Sequence, residues 1–187
     1  MRKFLTFGVA LLVLAFPAMA QDDNAPKVEV FAGYSFLSAD TTSLFGEREN
    51  FPTGFNADIA FNATRNFALV VDFQGHFKTF EDPGFPDIKI HAISFHTGPR
   101  LKVRSGKVEP FVHGLFGFTN LKVEELGFPD ISENAFSVKA GGGFDVVASK
   151  HIAIRLVEFN YYMTRFFDDS QNNFTFSTGI VFRLGGD

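Results

Sequence analysis

The sequence contains no cysteine and no tryptophan, and its 17 lysines and arginines nowhere gather into a run. Without cysteine, stability has to come from backbone pairing and packing instead of a disulfide framework. Scattered basic residues exclude the electrostatic footprint of a nucleic-acid binder. Beyond residue 20 no apolar stretch approaches the roughly 18 residues of a spanning helix, so any membrane crossing has to be made by strands. What the chain does have in quantity is phenylalanine, 27 of them.

The first twenty residues differ from the rest. Arg2 and Lys3 precede an apolar run over 4–16, and Ala18-Met19-Ala20 supplies the small-residue ending of a cleavable secretory signal. The mature chain is therefore expected to be residues 21–187, beginning at Gln21. No cysteine follows the run, which excludes lipoprotein processing. In the mature chain 15 basic residues face 21 acidic ones, a net charge of −6 over 167 residues. That length suits one domain.

The segment 136–162 sets the pattern for everything after it. Its first arm places Phe136, Val138, Ala140, Gly142, Phe144 and Val146 on one face and Ser137, Lys139, Gly141, Gly143 and Asp145 on the other. The same alternation predicts strands at 27–38, 52–63, 67–77, 89–103, 108–119, 152–162 and 173–184, eight in all with 136–148. In 108–119 Val112, Gly114, Phe116 and Phe118 are assigned to the apolar face, which keeps Glu109 and His113 off it. In 152–162 a bulge near Val157 is predicted, because an extra residue there returns Glu158 and Asn160 to the polar face. A single hairpin cannot bury such an apolar face, so the strands need one another.

Connections alternate in expected length: long at 38–51, 78–88, 120–134 and 164–173, short at 63–66, 103–107 and 148–150. Long and short connections then lie at opposite ends of an up-and-down meander, the layout of an outer-membrane barrel. Volume decides which face looks inward. Eight strands enclose a space just wide enough for side chains, and the face with Gly33, Ser35, Gly98, Gly141, Gly143 and Gly179 fits it better than stacked Phe and Ile. The expected fold is thus an all-β, eight-stranded antiparallel transmembrane barrel with its phenylalanines in lipid. A soluble binding cup shares the period of two, but usually adds a Trp near the first strand and a helix after the barrel.

The inward face then carries Arg100, Lys139, Arg155 and Arg183 with Asp58, Asp72, Asp145 and Glu158. Confined charges must pair or cost several kcal/mol each. They are expected to interlock as an ionic plug that leaves no continuous water pore. His76, Asp72 and His96 could approach one another across two strands, but an inward histidine is more often a hydrogen-bond partner than a metal ligand. His91, Ser94 and His96 share one strand and match no nucleophile motif. No catalytic, cofactor or metal site is therefore predicted.

The leader, the alternating strands, the GGGFD run at 141–145, the IAIRLVEFNYY strand and the closing GIVFRLG at 179–185 together resemble the small outer-membrane β-barrel family related to the transmembrane domain of outer membrane protein A. The resemblance implies a bacterial outer-membrane location. Two departures stand out. The chain stops after the eighth strand, so the peptidoglycan-binding domain of some relatives is expected to be absent. It also ends on Gly185-Gly186-Asp187 instead of a terminal Phe, with Phe182 left to serve as an assembly signal from inside the strand.

The most specific feature lies in the connections. Gly84-Phe85-Pro86-Asp87-Ile88 and Gly127-Phe128-Pro129-Asp130-Ile131 repeat one pentapeptide, and Asn50-Phe51-Pro52 echoes it. Proline suits the first residue of a strand, and the preceding Phe suits a membrane interface. Alternatively, Phe51, Phe85 and Phe128 gather at the external rim as an interaction patch. The expected role is a monomeric, non-enzymatic structural or surface-interaction protein in contact with outer-membrane lipid, reaching an extracellular or envelope partner through its loops. The alternatives are a narrow channel for small or hydrophobic solutes and a lipid-modifying barrel enzyme.

Overall fold

Period-two alternation builds a closed wall. A computed structural model describes residues 25–42, 46–80, 86–125, 127, 129–166 and 169–186; the expected leader, residues 1–20, lies outside them. The strands are β1 (Val28–Asp40), β2 (Arg48–Phe51), β3 (Thr53–Asn62), β4 (Phe67–Phe80), β5 (Ile88–Lys102), β6 (Val108–Glu125), β7 (Ile131–Val147), β8 (Ile152–Phe166) and β9 (Asp169–Leu184). From β3 onward each pairs antiparallel with its successor, and β9 returns to β1 from Val28↔Leu184 to Ser38↔Phe174. The result is a closed eight-stranded barrel whose second strand is split into β2 and β3.

Pro52 makes the split. It has no N–H for the ladder, and the register against β1 slips by one residue between Leu37↔Phe51 and Tyr34↔Phe55. The Tyr34 hydroxyl donates to the Pro52 carbonyl across the interruption. The slip turns the Phe51 side chain inward, opposite Leu37.

Burial is inverted relative to a water-soluble domain. Phe95, Val112, Phe116, Phe118 and Leu156 are each more than half exposed, while Asp58, Asp72, Arg100, Lys139 and Arg155 are buried. β6 takes the predicted phase, with Phe111 and Leu115 inside. The predicted bulge is present in β8: Asp145 opposes Arg155 while Phe144 opposes Val157, so Leu156 and Val157 both face out. Outward rings meet across neighbouring strands, Phe55–Phe73 at 5.5 Å, Phe118–Phe136 at 6.1 Å and Phe159–Phe176 at 4.9 Å, a girdle of the kind that flanks an apolar band.

The long connections are shorter than expected, because much of each is strand. β6 and β7 stay paired out to Val123↔Ile131, and β8 and β9 out to Phe166↔Asp169. Past the apolar band water wets both faces, so the hydrophobic alternation fades although the ladder goes on. The opposite end holds the short turns, where Ala148 and Ser149 both donate to the Ile152 carbonyl at 3.0 and 2.9 Å.

Candidate functional site

The bore is filled, and Arg155 lies at the centre of its ionic layer. Its strand places it inward beside the bulge, which brings Glu158, three residues on, to the same face. Arg155 Nε donates to Asp145 Oδ1 at 2.9 Å, and Nη1 donates to both Asp58 Oδ2 and Glu158 Oε2 at 2.6 Å. Arg100 grips the same Asp58 with two nitrogens, at 3.0 and 2.9 Å. Phe31 and Phe111 flank the Arg155 guanidinium, with ring centres 4.1 and 4.6 Å from its central carbon. Desolvating such charges is affordable only when each finds partners; each of these charges does, and Arg155 uses all three of its nitrogens, whereas Arg100 Nε is buried with no acceptor.

Toward the short turns, Lys102 Nζ bonds Asp145 at 2.7 Å and both oxygens of Glu29 at 3.1 Å. Arg104 reaches Glu29 at 2.6 Å, and Arg183 reaches Glu109 at 3.0 Å. Toward the other rim Lys139 pairs with Asp72. His96 Nδ1 stands 3.5 Å from Asp72, and its Nε2 is 2.8 Å from Ser137 Oγ. His76 does not join them; its Nε2 meets Ser35 Oγ at 3.0 Å. Above this layer the bore turns apolar, with Leu37, Phe51, Ile90 and Tyr162 packed together.

Glycine matters where adjacent strands leave no room for a methyl. A methyl on Gly141 would stand 2.1 Å from the Phe159 carbonyl oxygen and 2.3 Å from Asn160 Oδ1. That same Oδ1 lies 2.6 Å from His113 Nε2, so a side chain there would break a buried contact.

Of the eight charges singled out in the sequence, Asp58, Arg100, Asp145, Arg155 and Glu158 form one cluster, Lys139 and Asp72 form a second, and Arg183 stands apart on Glu109. The sequence analysis left out Glu29, Lys102, Arg104 and Glu109. Lys102 and Arg104 share the parity of Arg100, which was the available signal. With them, six carboxylates (Glu29, Asp58, Asp72, Glu109, Asp145, Glu158) face six bases (Arg100, Lys102, Arg104, Lys139, Arg155, Arg183), so the lattice is electrically neutral. The aromatic patch fares differently. Phe51 is 4% exposed and belongs to the apolar layer inside the bore, because of the slip at Pro52. Phe85 and Phe128 lie outside the described residues. Among the described residues no group of three His, Cys, Asp or Glu converges as metal ligands do.

Comparison with solved structures finds the same architecture in bacterial outer membranes. The attachment invasion locus protein Ail of Yersinia pestis is 18% identical, with 86% of this chain covering 99% of that one at a TM-score of 0.62. Neisserial surface protein A is 14% identical, over 84% and 95% of the two chains, at 0.57. OprG of Pseudomonas aeruginosa is 9% identical, over 86% and 97%, at 0.53. At these identities the likeness concerns the fold. Ail has also been crystallised with the heparin analogue sucrose octasulfate. Among curated proteins none matches the sequence. The family described as outer membrane protein beta-barrel domain matches residues 8–182, nearly the whole chain and all nine strands but the last two residues of β9, and the protein belongs to that family.

Proposed function

We propose that this bacterial outer-membrane protein is a sealed, non-enzymatic barrel. It works as a monomer embedded in lipid, its leader of residues 1–20 removed, and holds its outer rim toward an extracellular or envelope partner. The observation that carries the reading is the neutral lattice across the bore, where Arg155 alone engages three carboxylates. An ion crossing it would have to displace bonds between buried charges. Reconstituted in a planar lipid bilayer at neutral pH, the protein is expected to give no steady conductance above that of the bare membrane. Resolved, reproducible current steps would overturn the sealed reading in favour of a narrow channel.

The rim supplies the interaction. With Phe51 inside, an aromatic patch for a partner rests on Phe85 and Phe128. Replacing both by serine is expected to weaken binding of the protein to host-cell or envelope surfaces several-fold while leaving unfolding in urea unchanged. Loss of barrel stability with surface binding intact would make these residues membrane anchors instead.

A further inference from the structure

Unpaired polar atoms gather at the short-turn end of the lattice, whereas at its centre Arg155 is fully used and Arg100 Nε lacks an acceptor. There Arg65, Arg104, Ser105, Glu109 and Arg183 help to line a recess of about 310 Å³. The Arg104 side chain is 5% exposed, and only its Nη2 is used, donating to Glu29. Its Nε and Nη1 are buried and donate to nothing, as is the Nε of Arg183, which stands 3.8 Å from Glu29 Oε1. Glu109 Oε2, in the same wall, accepts nothing. Elsewhere in the same bore Arg155 uses all three of its nitrogens. Buried donors left unmade cost about 1–3 kcal/mol each, and here they belong to side chains that line a space large enough to admit a small ion.

We propose that the recess binds a phosphate-type oxyanion that keeps a hydroxyl. The chemistry of the lining selects it. Guanidinium groups outnumber carboxylates around the space, which favours an anion, and guanidinium N–H groups match the oxygens of phosphate. Glu109 Oε2 needs a donor, which a hydrogen phosphate or the monoanion of a phosphate monoester provides and a phosphodiester, having no P–OH, does not. The ligand enters from the periplasmic side, since the recess lies among the short turns.

Inorganic phosphate is the probe. The refolded protein in phosphate-free micelles, at ionic strength fixed with sodium chloride, is titrated while the ³¹P line width is followed. Saturable broadening is expected, weakened at least tenfold by Arg104→Gln and unchanged by Lys107→Gln, an exposed cation on the same turn that does not line the recess. Heat-modifiable migration on unboiled gels first shows that each variant has folded. Should Arg104→Gln fail to fold, Arg104→Lys keeps a cation for Glu29 while removing the spare guanidinium donors, and Arg183→Gln tests the opposite wall. Dimethyl phosphate is expected to compete poorly. Absent broadening, or equal broadening in the parent and the arginine variants, would overturn the site.

Discussion

Replacing Arg155 by methionine is expected to lower barrel stability by about 3–5 kcal/mol, the cost of breaking a buried ion pair from one side, measured by urea unfolding in lipid vesicles. The three carboxylates do not suffer equally. Asp58 keeps Arg100 and Asp145 keeps Lys102, whereas Glu158 keeps only the amide of Asn160 at 2.9 Å and His113 at 4.0 Å. Changing Glu158 to glutamine in the same background is therefore expected to recover a larger share than changing Asp58 to asparagine. A double-mutant cycle reads the difference. Lysine at 155 would restore one charge but not the planar fork that spans three partners. If Arg155→Met unfolds at the parent's urea concentration, the lattice does not hold the barrel together.

The second large effect belongs to the outer face. Ile180 points away from the bore, 46% exposed, on β9 between the Phe176 and Leu184 levels. Arginine there is expected to cost about 2–4 kcal/mol in vesicles, as a charge at the bilayer midplane does, against about 0–1 for the same change at Leu184 near the interface. The gradient is the test. Equal costs at the two positions would mean that this face does not sit in hydrocarbon.

Much of this architecture was legible because lipid and lumen impose opposite demands on successive residues. Phe116 and Phe118 could only face out once Glu109 and His113 were kept from lipid, and Glu158 and Asn160 required the bulge that Leu156 and Val157 make. Legibility failed where that contrast ends. At Ile131-Ser132-Glu133-Asn134 water reaches both sides of the strand, so nothing in the residues marks it as paired, though Glu133 lies opposite Leu121. Phe51 is misplaced because 38–51 reads as a connection and the Phe-Pro echo puts it at the rim, whereas the strand resumes before Pro52 and pairs Phe51 with Leu37 inside the bore. The composition of the bore followed from the alternation, but its wiring did not. Asp58 meets Arg155 across 97 residues of chain, a pairing fixed by the tilt and stagger of the closed wall.

The eighteen residues of β6 have a last consequence. At about 3.3 Å per residue and a tilt of about 40°, such a strand stands roughly 45 Å tall, against about 25 Å for the oily belt. Together with β7 it forms a stiff mast that lifts its tip clear of the lipid headgroups. A macromolecule docking on the paired stretch from Leu121 to Val123 and Ile131 to Glu133 would meet strands already hydrogen-bonded to one another, so little conformational freedom is lost on contact.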